Sequence, residues 1–220
     1  MANLITGLDP DRIRANLAEI RQAVDDAAAR AGRDPAEIEI LAATKYVRAS
    51  ELGALREAGL TLLGENRAQD LAEKVTAFPD AFSWDFIGRL QSRKVKEIVP
   101  HVRLIHSVGS DSALRQLALH APPELEVLVE VDVAGEEGKA GVAASELTAF
   151  LERCPVRVGG LMTMPPATKA AEDSRRWFAA LRELAERHHL ARLSMGTSQD
   201  FAVAVEEGAT LVRIGAGLLG

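Results

Sequence analysis

At 220 residues with a formal net charge of −6, 47% hydrophobic and 26% charged residues, the chain can bury a sizeable core. It lacks the basic excess that a nucleic-acid or anionic-membrane surface requires, so any phosphate binding must be local. A single cysteine, Cys154, excludes an intramolecular disulfide, and no His or Cys lies near it at metal-ligand spacing. No secretory leader or membrane-length apolar run is read, and no low-complexity segment interrupts the pattern; one folded domain over 1–220, cytoplasmic and monomeric, is the expectation.

Asp9-Pro10 opens a helical pattern to Arg30, with Ile13, Leu17, Ile20 and Val24 at three- and four-residue spacing and Ala31-Gly32 ending it. From there strand-like runs alternate with helical ones. Glu37 to Tyr46 precedes Ser50 to Ala58, Leu60 to Glu65 precedes Arg67 to Thr76, and Ser83 to Gly88 precedes Ser92 to Val99. Arg103 to Val108 then leads into Ser112 to His120, and Glu126 to Val133 into Ala143 to Glu152. Val156 to Met162 is followed by a long helix from about Lys169 to Arg187, and Ala191 to Met195 by Phe201 to Glu207, before a last run, Thr210 to Ile214. About eight strand candidates, each but the last followed by a helix, suit an α/β protein with a (β/α)8 TIM barrel and an extra N-terminal helix. An open doubly wound sheet is the alternative.

In a barrel the C-terminal strand ends share one rim, which carries the site. Lys45 ends the first strand-like run, and alternation places it on one face with Glu39, Leu41 and Ala43. A partly desolvated amine there has a lowered pKa and can attack an aldehyde to form a Schiff base; the alternative is a lysine reaching solvent at a strand end. After the seventh and eighth strands come Ser194-Met195-Gly196-Thr197-Ser198 and Arg213-Ile214-Gly215-Ala216-Gly217. The glycines allow backbone amides close to an anion, and Ser198 is placed to cap the following helix. Arg213 alternates with Val212 and Ile214 and should point into the barrel mouth, where it must meet a ligand or an internal carboxylate such as Glu65 or Glu130. Asn66 is placed either to bond a ligand hydroxyl or to cap a helix. Lys139, in the loop Gly135-Glu136-Glu137-Gly138-Lys139-Ala140-Gly141, is a second amine within reach.

Leu41-Ala42-Ala43-Thr44-Lys45, Gly64-Glu65-Asn66-Arg67-Ala68-Gln69, Trp84-Asp85-Phe86-Ile87-Gly88-Arg89-Leu90-Gln91-Ser92, Gly160-Leu161-Met162-Thr163-Met164, and Leu193-Ser194-Met195-Gly196 through Arg213-Ile214-Gly215 together resemble the pyridoxal-phosphate homeostasis protein family over nearly the whole chain. The resemblance implies a fold similar to the N-terminal barrel of alanine racemase, with pyridoxal 5′-phosphate held as an internal aldimine on Lys45. It further implies Asn66 near the cofactor ring, Arg213 opposite the pyridine nitrogen, and Ser194, Gly196, Ser198, Gly215 and Ala216 around ring and phosphate. Lys139 matches a loop lysine that receives cofactor in transfer. The chain departs from the family pattern at Asp85, commonly histidine, at Thr197, commonly methionine, and at Ala216, commonly a hydroxyl residue.

The resemblance implies a carrier that binds and buffers the cofactor, with apo pyridoxal-phosphate enzymes as recipients; the alternative is a racemase or related enzyme. Racemases of this fold take an opposite-face tyrosine from a second domain. Here the sequence ends at Gly220 and its one tyrosine, Tyr46, adjoins Lys45. Strand neighbours point to opposite faces, so the two are not expected to flank one ring. A sugar-phosphate aldolase would share lysine and phosphate site but needs no Arg213.

Overall fold

The computed structural model describes residues 4–136 and 138–220. Nine strands run in chain order: β1 (Glu39–Ala43), β2 (Leu62–Glu65), β3 (Ser83–Phe86), β4 (Leu104–Val108), β5 (Glu126–Asp132), β6 (Val142–Ala143), β7 (Arg157–Met162), β8 (Arg192–Thr197) and β9 (Leu211–Ile214). All pairings are parallel. The order β4-β3-β2-β1-β9-β8-β7-β5, with β4 also pairing β5, closes eight of them into a barrel. The ninth, β6, is a two-residue strand laid on the end of β5 by Val131 opposite Val142. This is the expected (β/α)8 barrel, and the open sheet is excluded by the β4–β5 pairing.

The helices are α1 (Pro10–Arg30), α2 (Leu52–Glu57), α3 (Ala68–Ala77), α4 (Val95–Ile98), α5 (Asp111–His120), α6 (Leu147–Glu152), α7 (Arg175–Arg187), α8 (Phe201–Glu206) and α9 (Ala216–Leu219). Asp9 caps α1 by accepting from the Asp11 amide at 3.0 Å, and its Ile13-Leu17-Ile20-Val24 stripe is buried. The helix lies against α8 and α9, pinned by Asn16 Nδ2 donating to the Leu218 carbonyl at 3.1 Å.

Two apolar layers follow from strand alternation. Outward residues such as Ala42, Leu63, Ile105, Val127, Leu161, Val212 and Ile214 join the helix stripes in the main core. Inward residues Leu41, Leu104, Leu128, Met162 and Leu211 form a small plug inside the barrel. Below the plug lies an ionic belt. Glu39 receives Arg103 at 2.7 Å and Arg192 at 3.2 Å, and Arg192 also reaches Glu126 at 2.8 Å.

The first strand is shorter than its sequence pattern. Pro35–Glu37 forms a 3₁₀ turn, and β1 stops at Ala43 rather than Tyr46 because the Val47 amide turns back onto the Thr44 carbonyl at 2.8 Å. Lys45 therefore sits in a turn, and strand alternation does not aim its side chain.

Gly88 carries a close approach at the rim: a Cβ there would stand 2.1 Å from the Asn66 carbonyl oxygen. Gly88→Ala should destabilise by about 1–3 kcal/mol, read as a lowered urea midpoint with unchanged slope. An unchanged midpoint would mean that the β2 and β3 ends are not locked together here.

Candidate functional site at the C-terminal rim

The turn that carries Lys45 is clamped from below. Thr44 Oγ1 reaches Glu65 Oε1 at 2.8 Å, and Lys74 Nζ donates to the Thr44 carbonyl at 2.8 Å while pairing with Glu65. Glu65 Oε2 also accepts the Asn66 amide at 3.0 Å. Lys74 and Glu65 are both buried, so each needs the other: removing one leaves an uncompensated charge. Lys45 itself is exposed, with Nζ 5.0 Å from the Tyr46 ring centroid. The desolvated cavity anticipated for its amine is not found; the clamp fixes its backbone and leaves its side chain in solvent.

Arg213 does point into the barrel, as the alternation on β9 requires, and is 6% exposed. Its partner is neither Glu65, which Lys74 occupies, nor a direct bond to Glu130. Nη1 donates to Ser194 Oγ, and Nη2 to the Thr163 carbonyl at 2.9 Å, with Met164 Sδ also at 2.9 Å. Nε–H has no acceptor among the described residues. Burial pulls the guanidinium down to about 10, against the opposing pull of Glu130 and Asp200, so it stays charged at neutral pH. Ser194 meets His106 Nδ1 at 2.9 Å, and His106 Nε2 meets Asp85 Oδ2 at 3.1 Å.

The glycine loops after β8 and β9 come together. Gly196 adopts φ +89°, and a Cβ on it would stand 2.6 Å from Ala204, so only glycine fits the backbone path. Ser198 does not cap α8, whose N-cap is Asp200. It accepts the Gly215 amide at 3.3 Å instead, while Asp200 Oδ1 takes the Thr197 amide at 2.8 Å and hydroxyl at 3.0 Å. Ala216 and Gly217 are exposed beside it.

Across the rim, Asn66 does not cap α3, whose N-cap is Arg67, and its Oδ1 is buried without a partner among the described residues. A cavity of about 290 Å³ runs from Asn66 to Lys94, and one of about 510 Å³ runs from Arg89 to Glu130 and Lys139; both are lined by Arg89, Gln91 and Arg93. Neither is lined by Lys45, Ser198 or Gly215. The rim thus has a basic, concave side over β3 to β5, while Lys45, Ser198 and Gly215 lie outside both cavities on the β1, β8 and β9 side. Burial pushes the Glu130 carboxyl up, against Arg213, Arg89 and Lys139. Lys139 pairs with Glu136, and Glu137 lies outside the described residues. His106 lies inside β4 and is wholly buried. Its link to Asp85 and Ser194, and the clamp by Lys74, had no local signal: the bonds join positions 9 to 88 residues apart.

A family model described as "Alanine racemase, N-terminal domain" matches residues 8–220. A relative from Aquifex aeolicus named "Pyridoxal phosphate homeostasis protein" is 40% identical over 218 residues, 93% of this chain and 96% of the relative. The chain belongs to the pyridoxal phosphate homeostasis protein family. Among solved structures, PipY of Synechococcus elongatus PCC7942 with PLP bound is 28% identical with a TM-score of 0.75, covering 94% of this chain and 100% of PipY. Alanine racemase from Corynebacterium glutamicum, 14% identical with a TM-score of 0.68, shares the fold over 99% of this chain and 62% of its own length. In this family member no helix among the described residues is long and apolar enough to cross a membrane.

Burial holds His106 below its ordinary value, only partly offset by Asp85. As pH falls through about 6.5 the unfolded chain takes up a proton that the folded chain resists, so this residue's contribution to stability is present above that pH and lost below it. His106→Gln should flatten the slope of unfolding free energy below neutrality by up to about 1.4 kcal/mol per pH unit. Urea titrations at successive pH values measure it, and an unaltered slope would assign the acid sensitivity elsewhere.

Proposed function

We propose that this chain binds pyridoxal 5′-phosphate, with Lys45 as the covalent attachment point, and stores it or hands it to apo pyridoxal-phosphate enzymes. Residues 1–220 act as one monomeric domain in the cytoplasm, without turning over amino acids as a main activity. The observation that carries this reading is Arg213, a buried charge at the top of the barrel whose Nε–H has no acceptor among the described residues. When bound, the cofactor supplies an aldehyde carbon and an electron-withdrawing pyridine ring.

The residues present fit that group. The buried Oδ1 of Asn66, unpartnered among the described residues, suits a donor on the ring at the β2 side. Ser198 offers a side-chain hydroxyl, Gly196 and Gly215 backbone without a Cβ, and Ala216 a backbone N–H for a phosphate on the β8–β9 side. Ser194 holds Arg213, and the guanidinium only donates, so a ring nitrogen facing Nε–H would be left without a proton and the ring would be a modest electron sink. The exposed ammonium of Lys45 suits exchange of a cofactor with solvent or a recipient more than a water-free reaction. Tyr46, the chain's one tyrosine, packs beside Lys45, which disfavours a two-base racemase. Lys139, on the basic, concave side, is a second amine for cofactor in transit. PLP-bound PipY and the naming of the Aquifex relative support the reading.

Lys45→Ala should lose the yellow chromophore and the borohydride-reducible adduct that form with pyridoxal 5′-phosphate; an adduct that persists unchanged on this variant refutes the assignment. Ser198→Ala should weaken cofactor binding by about 1–3 kcal/mol in an equilibrium titration. Enzymes turn over at about 1 to 1000 per second, and a screen of amino acids for α-proton exchange and product should find nothing in that range. One substrate turned over at such a rate, and lost in Lys45→Ala, would replace the carrier by an enzyme.

A further inference from the structure

Inside the barrel, Arg213, Ser194, His106 and Asp85 stand in single file, and the direction of each hydrogen bond can be read from the two ends inward. Arg213 has donors and no acceptor, so the Ser194 hydroxyl oxygen accepts from Nη1. At the other end Asp85 is wholly buried and paired with Arg103, whose Nε donates to Oδ1 at 2.8 Å and whose Nη2 donates to Oδ2 at 3.1 Å. A carboxylate only accepts, so His106 Nε2, 3.1 Å away, carries the ring hydrogen. In a neutral ring Nδ1 is then bare, and it takes the Ser194 hydroxyl proton across 2.9 Å. Each member donates to the next, and this one arrangement pairs every donor and acceptor along the file. With the other tautomer, Nδ1–H and Nη1–H would both point at Ser194 Oγ, and the Asp85 carboxylate would face a lone pair. Leaving such buried groups mispaired is costly.

The geometry points to Ser194, His106 and Asp85 as a one-way positioning relay that fixes the Arg213 guanidinium from within the barrel and is itself anchored, through Arg103, to Glu39 on the opposite face. None of the three needs to touch a ligand. Arg103 is bound to Glu39 at 2.7 and 2.9 Å and is one-third exposed, so the last link reaches solvent at the N-terminal face of the barrel. The charged groups that act on His106 are Asp85 on β3, Arg103 at the entry to β4 and Arg213 on β9. The two cations oppose a further positive charge on the ring, in the same direction as its burial. That Arg213 meets a pyridine nitrogen rests on the proposed function; the relay does not.

The test uses the full chain, labelled with nitrogen-15, without added cofactor. At neutral pH the His106 resonances should report a protonated Nε2 and a bare Nδ1; the opposite tautomer, or an imidazolium, overturns the relay. Hydrogen exchange at the Arg213 guanidinium should speed up about 5-fold or more in Asp85→Asn and in His106→Ala, although Asp85 does not touch Arg213. In His106→Gln, where the amide oxygen can accept from Ser194 and the amide nitrogen can donate to Asp85, exchange should stay slow. An unchanged rate in folded Asp85→Asn, or a glutamine variant no better than alanine, overturns it. With pyridoxal 5′-phosphate added, Ser194→Ala should bind about 5- to 150-fold more weakly. If the unsubstituted chain takes up no cofactor, the proposed function fails, and tautomer and exchange still decide the relay.

Discussion

A guanidinium buried at the top of a closed barrel is the constraint to which much of the interior answers. Isolated in an apolar core, such a charge would cost more than the margin by which a domain is stable. This chain meets the cost without a direct carboxylate partner for Arg213. It supplies a serine hydroxyl, a backbone carbonyl and a thioether, and places Glu130 and Asp200 near enough to pull on the charge without bonding it. A direct ion pair would have held the guanidinium more tightly. The arrangement found leaves two of the five guanidinium N–H groups, Nε–H and one on Nη1, without an acceptor among the described residues, and the group still cationic. Stability and readiness for a ligand are settled by the same choice of partners.

The barrel interior is accordingly layered by chemistry. The ionic belt of Glu39, Arg103, Glu126 and Arg192 closes the N-terminal end, the leucine and methionine plug fills part of the middle, and the polar file from Asp85 to Arg213 passes beside it to the rim. A plug of only five buried apolar residues leaves room for that file in cross-section. The rim is then divided. Thr44, Glu65 and Lys74 clamp the backbone under Lys45 while the side chain stays in solvent, and the basic cavity lies over β3 to β5.

Much of the architecture was legible because it is periodic. Alternating strand and helix runs gave the barrel, and the inward direction of Arg213 followed from Val212 and Ile214 packing outward. What escaped was decided by contacts distant in sequence or by single turns. The β1 run read through to Tyr46 because Thr44, Lys45 and Tyr46 continue a strand-like composition; the Val47 amide folding back on Thr44 ends it, and no residue preference announces that bond. Ser198 precedes a helix and reads as a cap, yet Asp200 is two residues nearer, and the hydroxyl is left to reach across to β9. His106 looked unremarkable in a hydrophobic strand because its two partners are 21 and 88 residues away.

The division of the rim bears on what kind of chemistry this chain can support. Catalysis on an amino acid requires a proton-transferring group on each relevant face of a closed site, in a setting that excludes water. Lys45 is exposed, its neighbouring tyrosine shares its turn, and several buried titratable groups are engaged with one another, His106 with Asp85 and Ser194 and Glu65 with Lys74, whereas Glu130, its carboxyl pushed up by burial, lines the cavity over β3 to β5. A histidine whose two nitrogens are both used inside the barrel has none to offer a substrate. What faces outward over β1, β8 and β9 is an amine, a hydroxyl and glycine backbone, above guanidinium N–H groups without an acceptor among the described residues; under the proposed function this set grasps and releases a ligand.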